Sequence, residues 1–316
     1  MTNSSIAFLF PGQGSQAVGM GVSLASSYSV AKQVFEEVND ALGENLFAVM
    51  REGPEDMIRR TRNAQPALFA TSMAAVRVLE AELGTSLTKR GGMLAGHSLG
   101  EYAALATSGS LSIIDAARLL RQRGDAMQSA VPVGEGAMAA LLGADESQVK
   151  HILDEAKSSG LVQVANDNAP GQIVISGKVA AVDAAIEIAK TAGLRRAIKL
   201  PVSAPFHCDL MAPAAAAMEK ALAATNLSDA AIPIFCNVTA APETNAVRLQ
   251  ENLVKQVTAR VRWRESLISM STAGAEKFVE LGTGKVLSGL VKRGIEAKAI
   301  VNLDGPDDLD SVLAQM

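Results

Sequence analysis

Gly96-His97-Ser98-Leu99-Gly100 sets a serine between two glycines, each two residues away. Between a strand and a helix, Gly-x-Ser-x-Gly makes a sharp turn that lifts the hydroxyl above the strand ends. The amide of the next residue, Leu99, then faces the same point, and the helix N-terminus favours an anion there. A serine placed so can carry an acyl group, provided that a base takes its proton, because its hydroxyl is a poor nucleophile at its free pKa. In a chain with 26 glycines such a match arises easily by chance, so the flanking elements must give it meaning.

Three histidines are available as the base. His97 is the serine's neighbour in the turn, so its side chain should point away. His151 lies on an amphipathic surface pattern and reads as solvated decoration. His207, in Ser203-Ala204-Pro205-Phe206-His207-Cys208, sits in a proline-stiffened turn and is the base by elimination. A third member is open: Asp125 and Asp209 have no distinctive context, and a backbone carbonyl could orient the imidazole equally well. A serine–histidine dyad is the expectation.

Two further glycine-rich stretches could be mistaken for phosphate loops. Phe10-Pro11-Gly12-Gln13-Gly14-Ser15-Gln16 lacks both the Gly-x-Gly-x-x-Gly spacing and the Gly-Lys-Ser/Thr ending. A loop at the carboxyl end of a parallel strand is still a place where backbone donors meet a ligand. Gly282-Thr283-Gly284-Lys285 is also short of a P-loop and reads as a plain turn.

The elements that must position these residues follow from periodicity. Residues 6–10 and 91–95 read as buried strands, each ended by a glycine-containing turn. Helices are expected over 24–38, over 66–83 with Pro66 in the first turn, over 101–107 and over 112–129. Residues 137–200 then run β-α-β-β-α-β, the order of a ferredoxin-like unit. Helices at 210–224 and 246–257 follow, with strands at 232–237, 278–281 and 299–303. The reading is an α/β protein with a hydrolase-like parallel-sheet core over 1–130 and 201–316 and a ferredoxin-like insertion over 131–200.

Bulk properties narrow the function classes. Across 316 residues, 48% are hydrophobic and 3% aromatic, so small aliphatics must fill the core. A net charge of −4 gives no basic footprint for nucleic acid. Cys208 and Cys236 have no metal-ligand spacing and read as buried free thiols, and no metal is expected. No stretch approaches the ~20 apolar residues of a membrane span, and the first residues lack a signal-peptide pattern. A soluble cytoplasmic protein, not bound to membrane, is expected.

Together the blocks Phe10–Gln16, Ala64-Gln65-Pro66-Ala67-Leu68, Gly96–Tyr102, Arg123–Gln128, Gly136–Ala140, Asn166–Gly177, Pro205-Phe206-His207 and Gly282–Leu287 resemble the malonyl-CoA:acyl carrier protein transacylases of type II fatty acid synthesis. The resemblance spans essentially the whole chain. It implies the same two-part fold, Ser98 as nucleophile and His207 as base. It further implies backbone amides of Gln13 and Leu99 as an oxyanion hole and Arg123 as the clamp on the malonyl carboxylate. The carbonyl that holds the histidine would match Arg262, where glutamine is often found. Leu99 and Phe206 match the malonyl-selecting pattern, and Phe206 would crowd an α-methyl group. Malonyl-CoA and an acyl carrier protein are the implied partners, with no metal or redox cofactor, and a monomer is expected. Carrier proteins are usually acidic, so Arg195, Arg196 and Lys199, or Lys285, Lys292 and Arg293, are candidate docking sets. The rivals are a serine esterase or thioesterase, which normally has its histidine late in the chain, and a non-catalytic CoA-binding module.

Overall fold

The computed structural model describes residues 5–90, 92–194, 196–202 and 204–316. Gly91, Arg195 and Ser203, which belong to a predicted strand start, a docking set and the histidine turn, lie outside the described residues.

Among the described residues ten strands form two sheets. The larger contains β1 (Ile6–Phe10), β2 (Met93–Gly96), β7 (Ile234–Phe235), β8 (Pro242–Glu243), β9 (Lys277–Leu281) and β10 (Ala299–Leu303), in the order β10-β9-β1-β2-β7-β8. The pairs from β10 to β7 are parallel, and β8 closes the edge antiparallel to β7. All five residues of β1 are buried, as expected for a parallel strand covered on both faces. Phe8 and Phe10 pack into one core with helices Thr61–Leu83 and Gly100–Thr107. Ala7 and Leu9 face the opposite core with Trp263, Leu267 and Leu290.

The smaller sheet contains β3 (Gly136–Leu142), β4 (Val162–Ala169), β5 (Gln172–Lys178) and β6 (Arg196–Lys199) in the order β4-β5-β3-β6, all antiparallel. With helices Glu146–Ala156 and Val179–Thr191 it has the β-α-β-β-α-β order, compatible with a ferredoxin-like unit. It has an aliphatic core of its own, including Leu141, Ile152, Ile175 and Val182.

Several elements depart from the periodicity. The pattern over 24–38 resolves into two helices, Val22–Ser27 and Ser29–Leu42, broken where Tyr28 is extended. Pro66 lies inside helix Thr61–Leu83 instead of its first turn. Every residue from Asn63 to Val76 is buried, so packing overrides the proline penalty. Helix Trp263–Thr272 was not expected: its sequence is rich in Ser and Thr, and Arg262 offers no side-chain cap. Among the described residues no helix is long and apolar enough to cross a membrane.

Candidate active site

β2 ends at Gly96 and a helix begins at Gly100, leaving three residues for the reversal. Ser98 sits at φ 52°, in the left-handed region that few non-glycine residues occupy. A Cβ on Gly96 would fall 1.9 Å from the Gly100 carbonyl, and one on Gly100 would fall 2.3 Å from Phe10 O. Neither turn position tolerates a side chain. Asn237, just after β7, clamps the turn: its Oδ1 accepts the Ser98 amide at 2.7 Å and its Nδ2 donates to Gly96 O at 2.8 Å.

The sequence pairing of Ser98 with His207 appears directly, with Ser98 Oγ 2.8 Å from His207 Nε2. His207 also has a positive φ, of 58°. Its turn is pinned by the smaller sheet. A Cβ on Gly136 would strike the Pro205 ring at 2.3 Å, Ser176 Oγ contacts Cys208 Sγ at 3.7 Å, and Gln163 binds Asp209 through both its amide atoms. Asp209 is therefore occupied, and Asp125 pairs with Arg62 at 3.0 Å, so neither carboxylate is the third member.

His207 Nδ1 instead donates to a backbone carbonyl at 2.9 Å, and that carbonyl belongs to Gln256, not to Arg262. The reason is local. Gln256 is the last residue of helix Ala246–Gln256, where carbonyls have no partner within the helix. Arg262 stands before helix Trp263–Thr272, so its carbonyl accepts the Ser266 amide as that helix's first bond. The Arg262 guanidinium is held by Glu265.

Arg123 reaches the same point from helix Ile113–Ser129. It is 1% exposed, yet its partners are neutral: Gln65 Oε1 at 2.9 Å, Gln256 Oε1 at 2.8 Å and Ser98 Oγ at 3.0 Å. Next to it, a Cβ on Gly124 would lie 2.7 Å from Arg62 Cα, so this glycine lets helix Ile113–Ser129 approach Thr61–Leu83 closely. A buried cation ringed by neutral acceptors is a place for an anion. Burial, reinforced by the Arg123 charge, pushes the His207 pKa down to about 3, which keeps the imidazole neutral and able to accept a proton.

Residues that reasoning on isolated motifs missed complete the site. Gln256 supplies both the carbonyl for His207 and the side-chain acceptor for Arg123, and its Nε2 donates to Ser98 O at 3.0 Å. Glu101 accepts from that same Nε2. Gln65 and Glu101 fall within quoted blocks, whereas Gln256 and Asn237 carry no local signature. His97 turns away from the serine, as expected, and its Nε2 lies 2.8 Å from Asn168 Oδ1 on β4.

The loop after β1 abuts the turn, because a Cβ on Gly12 would lie 2.7 Å from His97 O. Gln13, one residue on, is tied by its Nε2 to Thr61 at 3.4 Å. Phe206 is buried in the larger core. Gly282-Thr283-Gly284-Lys285 is no phosphate cradle, since the buried Glu280 carboxylate already accepts the Leu287 and Ser288 amides of the following helix. Among the described residues no cluster of three His, Cys, Asp or Glu side chains could hold a metal, and Cys208 and Cys236 are buried free thiols.

The acyl transferase domain family matches residues 7–304. The chain belongs to that family. This acyl transferase is 44% identical over 308 residues to the malonyl CoA-acyl carrier protein transacylase of Bacillus subtilis (strain 168), covering 97% of this chain and 96% of that one. Its structure is similar to that of the acyl-carrier-protein-S-malonyltransferase of Bartonella henselae, with a TM-score of 0.95, 50% identity and 98% of each chain covered. It is also similar to a malonyl-transacylase solved in complex with its type II PKS acyl-carrier protein, with a TM-score of 0.93, 38% identity, and 99% of this chain and 100% of that one covered.

Proposed function

We propose that this acyl transferase moves a malonyl group from malonyl-CoA to the phosphopantetheine thiol of an acyl carrier protein, for fatty acid biosynthesis. One observation carries this reading: Ser98 Oγ stands between His207 Nε2 at 2.8 Å and the buried Arg123 Nη2 at 3.0 Å. A base and a guanidinium therefore meet at one hydroxyl. A short acyl chain that ends in a carboxylate can be esterified there and still reach the cation.

His207 takes the Ser98 proton while Oγ attacks the thioester carbonyl, and the CoA sulfur leaves with that proton. The carrier thiol then gives its proton to His207 and attacks the malonyl-serine ester, and Ser98 Oγ leaves with that proton, closing a ping-pong cycle. The Leu99 amide at the helix start and the Gln13 amide in the abutting loop would hold the oxyanion. Phe206 beside the base would disfavour a branched acyl group. No metal or redox cofactor takes part in this scheme. We further propose a cytoplasmic monomer. Its docking face for an acidic carrier includes Lys285, just before helix Val286–Gly294, and Lys292 and Arg293 in the last turn of that helix, all exposed.

Intact-mass measurement after mixing with malonyl-CoA tests the reading. A malonyl adduct is expected on the wild type and not on Ser98→Ala. Arg123→Ala should lose malonyl transfer and keep acetyl transfer, the discrimination being tenfold or more if hydrogen bonds to a charged group each contribute ~1.5–3 kcal/mol. No adduct under any condition would leave a binding module, and rapid hydrolysis without acceptor would make it a thioesterase.

A further inference from the structure

Gln256 touches each of the three groups at the centre of the site, and only one orientation of its side-chain amide is useful. With Oε1 toward Arg123, the oxygen accepts from Nη2 at 2.8 Å, and Nε2 is left to donate to Ser98 O at 3.0 Å. With the amide flipped, an NH2 group would face the guanidinium, and Arg123 would lose one of its neutral acceptors. Ser98 O alone does not settle the choice strongly, since it already accepts the Glu101 amide at 3.1 Å.

Two further acceptors face Nε2: Asn237 Oδ1 at 3.3 Å, already engaged by the Ser98 amide at 2.7 Å, and Glu101, which is closer and settles the choice. It lies in the first turn of helix Gly100–Thr107, is 1% exposed, and directs Oε2 at Gln256 Nε2 and at the Asn237 amide, the latter at 3.4 Å. Because Oε2 already accepts the Asn237 amide, it meets Gln256 as an acceptor and favours the amide nitrogen there, so the Gln256 oxygen turns to Arg123. We propose that Glu101 is a positioning residue: it fixes the Gln256 amide and, through it, holds the Arg123 guanidinium at Ser98 Oγ. The inference rests on the malonyl-transfer reading, because Arg123 matters only to an acyl group that carries an anion.

The test compares two acylations of Ser98. Malonyl-CoA uses Arg123. p-Nitrophenyl acetate, followed by its nitrophenolate burst, has no carboxylate for Arg123 to hold. Wild type and Ser98→Ala come first: absence of a Ser98-dependent malonyl adduct refutes the transfer reading itself, whatever Glu101 does. With that adduct present, Glu101→Leu should lower the malonyl rate at least tenfold relative to the acetate rate, mainly through KM. Glu101→Gln, whose amide oxygen can still accept from Gln256, should stay within threefold of wild type in that ratio. If Glu101→Leu does not fold, Glu101→Asp, one methylene too short to reach the amide, takes its place with the same expectation. An unchanged ratio in Leu or Asp, an equal fall of both rates, or a fall in Gln as deep as in Leu would overturn the proposal.

Discussion

At the residue scale, the chemistry turns on His207 being a base that stays unprotonated. Burial is the larger cause of its low pKa and the Arg123 charge the next, while its bond to Gln256 O works the other way. With the pKa at about 3, the acid limb of kcat/KM for malonyl-CoA should lie well below the ordinary histidine value of ~6.5. A limb at the ordinary value would refute this assignment. In Arg123→Met the pKa should rise yet remain depressed, because burial persists. The same group links pH to stability. The unfolded chain gains a proton below ~6.5 that the folded imidazole refuses, so stability present above that pH is lost as pH falls toward about 3.

At the element scale, the site depends on helices placed closer than side chains usually permit. Gly124→Ala should force helix Ile113–Ser129 away from Arg62 and Thr61, and overpacking of this kind costs ~1–3 kcal/mol. Because Arg123 and Gln65 sit on the two helices being parted, the variant should also raise KM for malonyl-CoA, which steady-state kinetics and a denaturant titration would measure together. Element scale is also where the sequence was most and least informative. Ser98 was legible because its turn is a local pattern, and His207 because three histidines made a short list. Gln256 was not, because a neutral amide at a helix end has no motif and its value lies in what folding brings to it. The expected helix over 246–257 already implied free carbonyls near its end, which was the usable clue against Arg262. The two-sheet arrangement was legible from alternating strands and helices, whereas helix Trp263–Thr272 was hidden by its weak propensity.

At the scale of the whole molecule, the smaller sheet does more than decorate the core, because it holds the turn that carries the base. Arg264 joins the two parts: it binds both oxygens of Asp167 on β4, at 3.0 and 3.1 Å from Nε, and also pairs with Glu146. The Asp167 side chain is 4% exposed, so Arg264→Met leaves an uncompensated buried carboxylate. The cost should fall near the lower end of the ~3–5 kcal/mol typical of a broken buried pair, since Arg264 remains 25% exposed. Adding Asp167→Asn should recover most of it in chemical denaturation. No recovery would show that the pair is not what holds the parts together.

The left-handed backbone at Ser98 and His207 has a consequence for how this chain can change. Both reactive residues occupy a conformation in which glycine would rest more easily than any L-residue with a side chain. At His207 the buried, hydrogen-bonded ring more than offsets this strain, but at Ser98, with its small side chain, the native residue is not the choice that its backbone prefers. Selection for heat resistance alone would favour glycine at Ser98 and silence the enzyme, so a screen for hardier variants must read turnover at the same time.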